Sequence, residues 1–358
     1  MRFETAVDLQ ARVFREVFDF EEVAAAAGLG VTPGVFVERS VLDAAGGPPR
    51  RLGRQVVAQM AARDVALGVV HEGSPEKSSL AVLIQSEEAG VADLVARILD
   101  MAPGEVTVTH IGRQSAFWTR KRNDPIRLGC SSSPTTVGYS GTIGCYCLDT
   151  RTGKVGILSN NHVLADVNRV PLNTPVMQPG AGDAGQAAGD VIAELTRFVQ
   201  IEFGGIPNAV DAALATLTDH GRAEDRGTLY DSADTPLPIV TLNGANPGAA
   251  MPGMTVMKTG RTTRHTRGRI LAVNVNNYQV DMGVGLARFD NQITIQADTD
   301  STTPFSRRGD SGSLIVDVDG RPIALLFAGS ESGGSGNLGV TGANPISSVM
   351  TQLEVALV

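Results

Sequence analysis

A chain of 358 residues has room for two domains, or for one large domain with an appendage. Its 41 glycines and an aromatic content of only 4% suit a protein built from many short strands and tight turns. A formal charge of −8 excludes a general nucleic-acid binder, which needs a basic face, and no apolar run is long enough to cross a membrane.

The opening residues, "MRFETAVDLQARVF", lack the apolar stretch that follows a basic start in a signal peptide. Leu9, Val13 and Val17 recur at helical spacing, with Phe14 and Phe18 beside them. "AAGGPPRR" at 44–51 breaks that pattern, and "VALGVVH" and "SLAVLIQ" then read as strands. In "SEEAGVADLVARILD", Ser86 is the expected N-cap of a helix that places Val91, Leu94, Val95, Ile98 and Leu99 on one face. "EVTVTHIG" closes the region as a further strand. Residues 1–115 therefore read as a small α/β domain, a sheet with helices over one face.

The chain changes character over 113–129, "RQSAFWTRKRNDPIRLG", which is basic and holds Pro125 and the only tryptophan, Trp118. A basic linker over 116–135 is expected here, with "RKR" at 120–122 a possible processing site. From 136 to 358 come "GTIGCYCLD", "KVGILSNNHV", "DVIAEL", "AVDAALATL", "TVMKTG", "GRILAVNV", "NQITIQA", "GSLIVDV" and "PIALLFAG". Short apolar runs punctuated by Gly, Pro, Asn and Asp indicate an all-β barrel or sandwich. The three cysteines, Cys130, Cys145 and Cys147, are odd in number and clustered, a poor disulfide framework. Cys145 and Cys147 alternate with apolar residues in a strand, without a Cys/His pair at metal-binding spacing, and read as small buried side chains. Together these features point to a reduced, cytoplasmic protein, with no cofactor and no metal expected.

The chemistry centres on "SRRGDSGSLIVDVDG" at 306–320. A serine hydroxyl is a poor nucleophile unless a base lies within hydrogen-bond reach and a third group fixes that base. Among the histidines of this region, His220 sits in a polar turn and His265 among arginines, whereas His162 ends the apolar strand "VGILSNNHV" and would be presented at a rim. Asp211 differs from the other carboxylates in its small apolar neighbours, "NAVDAALATL". A carboxylate there either pairs with a buried partner such as an imidazole N–H or caps a turn through backbone amides. The order His162, Asp211, Ser311, about fifty and then about a hundred residues apart, is one of the known chain orders of a serine triad.

At this point the sequence from about 140 to 350 resembles the chymotrypsin/trypsin-like serine peptidases. "LSNNHVLA" is similar to the histidine motif, with Asn160 and Asn161 in place of small residues. "VDAALA" is similar to the aspartate motif, and "RRGDSGSLIV" to the serine motif, with Ser313 where animal members usually carry glycine. "VMKTGRTTRHTRGRI" looks like a strand-turn of bacterial members. "CSSSPTTVGYSGTIGCYCLD" together with "SNNHVLA" looks most like bacterial relatives of the plant narrow-leaf trypsin-like proteases.

The resemblance implies two six-stranded antiparallel barrels with the active site between them, behind the α/β domain. It further implies that Ser311 attacks a peptide carbonyl, His162 relays the proton, Asp211 holds His162, and the N–H groups of Gly309 and Ser311 form the oxyanion hole. Asp310 would be internal, with no recognisable motif for a cleaved amino terminus to pair with it. The substrate pocket would be formed by Phe305 at its floor, Ser306 and Arg308 beside it, and Phe327, Ala328 and Gly329 along its wall. With no acid at the floor, a preference for Lys or Arg is not supported and an apolar or small side chain is expected, while Arg307 and Arg308 either attract acidic substrate residues or form a solvated pair. The expected function is a serine endopeptidase acting on protein or peptide substrates, regulated by its N-terminal domain or a protein partner bound there, with residues 1–115 either a prodomain that assists folding or blocks the cleft or a permanently attached regulatory domain. The rival is a catalytically silent binding or scaffold module, with acyl transfer or esterase chemistry on the same triad as a third option.

Overall fold

The computed structural model describes residues 1–23, 35–38, 61–71, 73–74, 76–86, 88–112 and 117–358. The chain divides into two compact units, Met1–Ser115 and Ala116–Val358. The expected break at 44–51 lies outside the described residues.

In the first unit, Leu9 and Val13 line the buried stripe of helix Phe3–Glu16, as the spacing predicts, together with Ala6, while Val17 lies just past its end. Strands Val65–His71, Ser78–Ile84 and Val106–His110 form a sheet in that order, antiparallel and then parallel. Leu80 and Val82 on the central strand pack with Val91, Leu94, Val95 and Ile98 from helix Val91–Met101. Two local expectations fail. Leu99 is 39% exposed, because the helix turns it away from the stripe set by Leu94 and Ile98. Ser86 does not cap the helix, which starts after Gly90; its hydroxyl instead accepts the amide of Glu88 at 3.4 Å, a local turn that competes with capping.

The second unit is almost wholly β. Its first half is a curled antiparallel sheet of eight strands, ordered Val355–Leu357, Cys145–Asp149, Val155–Ser159, Ala213–Leu217, Val191–Phe198, Pro175–Met177, Ser131–Pro134 and Gly141–Thr142. Its second half is a closed six-stranded barrel: Thr255–Gly260, Arg264–Val275, Gln292–Ala297, Val340–Pro345, Pro322–Gly329, Leu314–Asp317 and back to the first. Helix Ile346–Leu353 then carries the chain back, so that its last strand extends the first sheet.

The continuous apolar runs "SLIV" and "IALLF" follow from burial on both faces. Leu314, Val316 and Leu325 pack into the core of the first sheet, while Ile315, Ala324 and Leu326, one residue out of phase, fill the barrel. These strands therefore join the two halves and position the loop before Leu314 at their junction.

The stretch read as a linker, 116–135, belongs to the second unit from its start. Trp118, Ile126, Leu128 and Cys130 are at most 5% exposed, and Ser131–Pro134 is a strand of the sheet. Its basic composition concealed its long-range partners: the Trp118 indole donates to Asp231 O (3.0 Å), and Arg122 pairs with Asp190 (2.9 Å). The Lys121 carbonyl accepts from both Asn123 and Gln178, at 2.8 and 2.7 Å. The "RKR" backbone is thus pinned, unlike the released, extended chain that proteolytic processing requires.

Candidate active site

The register of the first sheet brings two of the three key side chains together. Strands Val155–Ser159 and Ala213–Leu217 are antiparallel with Ser159 opposite Ala213, so the residues just beyond Ser159 lie beside those just before Ala213. His162 is not on the strand itself but in the one-turn helix Asn161–Leu164 that follows it. Its Nδ1 lies 2.5 Å from Asp211 Oδ2, and its backbone N–H donates to Asp211 Oδ1 at 3.2 Å. Asp211 is fully buried, whereas the His162 side chain is 23% exposed. A carboxylate accepts only, so a proton sits on Nδ1 between the two, and in the neutral imidazole Nε2 is then the nitrogen able to accept.

The backbone of Asp211 is fixed as well. Asn160 Nδ2 donates to its carbonyl at 2.8 Å, and its N–H donates to Asn344 Oδ1 at 2.9 Å. The two asparagines that replace small residues in "LSNNHVLA" therefore have structural work: Asn161 Nδ2 bonds Asn168 Oδ1 (2.6 Å) and Val199 O (2.7 Å).

Ser311 lies on the loop between the barrel strands Gln292–Ala297 and Leu314–Asp317. Gly309 and Gly312 both have left-handed backbones, at φ +97° and +94°, which glycine adopts without strain. A Cβ at Gly309 would stand 2.5 Å from Thr262 Oγ1, and one at Gly312 would stand 2.1 Å from Ser159 Oγ. The amides of Asp310, Gly312 and Ser313 donate to Arg307 O, Leu326 O and Asp310 O. Among the described residues, those of Gly309 and Ser311 donate to no protein atom, the condition for an oxyanion hole. Thr142 ties this loop to the first sheet: its hydroxyl donates to Gly309 O (2.8 Å) and its amide to Ser311 O (2.9 Å).

Asp310 is fully buried beneath the loop. Its carboxylate accepts from the amides of Thr262 (2.7 Å), Thr263 (3.0 Å) and Arg307 (2.9 Å) and from Thr263 Oγ1 (2.7 Å). Lys258, whose side chain is also fully buried, brings its ammonium to within 3.6 Å of Asp310. Burial pushes the Lys258 pKa down, against the opposing pull of Asp310. The acid thus has a cationic partner from within the barrel. Lysine in the middle of the apolar run "TVMKTG" was the available signal, and sequence reasoning assigned it no role. Lys258→Met should lower stability by about 3 kcal/mol in denaturant unfolding, because a fully buried carboxylate loses its counter-charge. An unchanged midpoint would show that the hydrogen bonds alone hold Asp310.

His162 and Ser311 line one cleft of about 710 Å³, together with residues 306–308 and 326–331 of the barrel and 278–283 of a hairpin. No hydrogen bond joins the Ser311 hydroxyl to His162, a contact that in unliganded enzymes often tightens only with substrate. Of the expected pocket residues, Ser306, Arg308, Phe327, Ala328 and Gly329 line this cleft. Phe305 does not. It packs into the barrel core with its ring 5.9 Å from the Lys258 ammonium, because successive side chains of an extended segment face opposite ways and Ser306 faces the cleft. The hairpin wall, Tyr278–Asp281 paired with Leu286–Phe289, was not anticipated, since its polar, glycine-broken sequence carries no catalytic pattern.

The other histidines lie elsewhere. His220 is beside Glu224 (3.2 Å), and His265 is held down to about 4 by burial and the nearby charges of Lys258 and Arg267. The cysteines are free and buried, and burial pushes Cys130 and Cys147 up to about 12, so neither is a ready thiolate.

No protein-family model matches the chain, and no curated protein matches it. Solved structures do. Thermobifida fusca protease A is 16% identical, covering 65% of this chain and 98% of its own at a TM-score of 0.44. A Nocardiopsis protease is 18% identical with the same coverage and TM-score. A glutamic acid specific serine protease is 20% identical over 65% of this chain and 100% of its own, with a TM-score of 0.45. A closed six-stranded barrel beside a curled antiparallel sheet, with the cleft at their junction, gives the second unit a chymotrypsin-like fold.

Proposed function

We propose that the second unit is a serine endopeptidase. The observation that carries this reading is the 2.5 Å bond from buried Asp211 to His162, on a cleft that His162 shares with Ser311. In the first step Ser311 Oγ bonds to the substrate carbonyl carbon while its proton passes to His162 Nε2. The carbonyl oxygen gains the electron pair and is met by the amides of Gly309 and Ser311. His162 then gives the proton to the leaving amine as the C–N bond breaks. Water, deprotonated by the same imidazole, then bonds to the acyl carbon, and the proton passes from His162 to Ser311 Oγ as the bond between that oxygen and carbon breaks. The chemistry requires no cofactor, and the substrate is a protein or peptide. The first unit has its own core, and we assign it a regulatory or recruiting role toward a protein partner.

The rival, a silent binding module, draws on the missing Ser311–His162 hydrogen bond. A fluorophosphonate probe separates the two. The enzyme should take up one adduct in its native state and lose that reactivity on denaturation, with peptide mapping placing the adduct on Ser311. An adduct elsewhere, or none with native protein, would sink the enzyme reading.

A further inference from the structure

The strap at the start of the second unit reaches the catalytic loop through a short series of hydrogen bonds. Thr119, in the turn Trp118–Arg120, is fully buried, and its hydroxyl donates to the carbonyl of Arg261 at 2.9 Å. Arg261 begins the turn 261–263, which grips the loop around Ser311 at three points. Its own amide donates to Thr142 Oγ1 (3.1 Å), the hydroxyl that donates to Gly309 O. The amides of Thr262 and Thr263 donate to Asp310 Oδ1. Thr262 Oγ1 donates to Arg308 O at 2.7 Å. On its outer side the turn is clamped by Arg261, whose Nη2 lies 2.8 Å from Asp183 Oδ1.

We propose that Thr119 is a positioning residue for the oxyanion loop: as the nearer of two donors to the Arg261 carbonyl, ahead of Arg120 Nε at 3.4 Å, it fixes the turn that sets where the amides of Gly309 and Ser311 point. It touches neither substrate nor the reacting atoms. The physical reason is the geometric tolerance of an oxyanion hole, whose donors act only within hydrogen-bond distance of the developing charge. The carbonyls of Arg308, Gly309 and Ser311 and the Asp310 carboxylate are held by Thr142 and by the turn 261–263, so where the two left-handed glycines place the loop depends on where that turn sits. The inference rests on the endopeptidase reading, and the strap that carries Thr119 is also the chain's covalent path to the first unit.

The test is Thr119→Val, which keeps the shape and removes the donor. It should lower kcat about tenfold at unchanged KM and slow fluorophosphonate labelling by the same factor, with Thr119→Ser restoring both. Amide exchange at Thr262 and Thr263 should speed up about tenfold, a readout independent of turnover. Trp118→Phe removes another of the strap's anchors, the bond to the Asp231 carbonyl, and leaves the bond to the Arg261 carbonyl in place. It should lower the thermal midpoint and leave kcat at the wild-type value. Wild-type kcat and exchange in Thr119→Val would overturn the proposal, as would a kcat loss in Trp118→Phe equal to that in Thr119→Val. Should Thr119→Val not fold, Thr119→Ala carries the same expectation, and misfolding of both would assign the hydroxyl to stability alone. If the wild type is never labelled yet Thr119→Val speeds exchange, the endopeptidase reading falls while the link from strap to loop stands.

Discussion

Ser311→Ala should lower kcat about a million-fold while the protein folds and unfolds as the wild type does. On the endopeptidase reading, the size of the loss follows from removing the group that would form the covalent bond. What remains is catalysis by the two loop amides and by binding, which alanine preserves because Ser311 O still accepts the Thr142 amide. Stability should move by less than about 0.5 kcal/mol, since the hydroxyl makes no hydrogen bond among the described residues. Turnover of an unfolded, fluorescently quenched protein substrate measures the first quantity, and denaturant unfolding the second. A variant that keeps even a hundredth of the wild-type rate would mean that another nucleophile does the work.

Asp211→Asn carries the second large effect, a loss of kcat of about ten-thousand-fold with the fold intact. The reason lies in the two oxygens. Oδ1 accepts the backbone N–H of His162, which compels an asparagine to keep its carbonyl oxygen there. Its NH₂ group is then left facing His162 Nδ1, where it can only donate. The imidazole must move its proton to Nε2, and a protonated Nε2 cannot take the proton of Ser311. The bonds of the Asp211 backbone to Asn160 and Asn344 are untouched, so the thermal midpoint should change little. If the variant turns over at wild-type rates, Asp211 does not orient the base. This variant also tests the turn-capping alternative, because a cap through backbone amides would tolerate asparagine.

Much of the cleft was legible because its signals are local. His162 stood out as a histidine closing an apolar strand, and Ser311 as a serine among residues that permit unusual backbone angles. Asp211 stood out because a carboxylate among alanines and valines needs a partner to be stable there. The expectation for Asp310 as an internal acid also agrees with its full burial. Other parts were illegible for a common reason. The strap at 117–122 looks like a solvated basic linker until Asp231, Gln178, Asp190 and Arg261, all distant in the chain, are brought to it. Lys258 looks misplaced in its strand until Asp310 arrives beneath the loop.

Periodicity and turn chemistry are written into neighbouring residues, because side-chain direction repeats every second residue in a strand and glycine alone relaxes the backbone. The sequence by itself therefore determined the β architecture of the second unit, the α/β character of the first, and the residue types available for acyl transfer. Tertiary structure alone decided which way a given side chain faces and what charge it meets. Phe305 and Ser306 are adjacent, yet the barrel takes one and the cleft the other. That choice depends on register between strands far apart in the chain, where a shift of one residue exchanges the two faces.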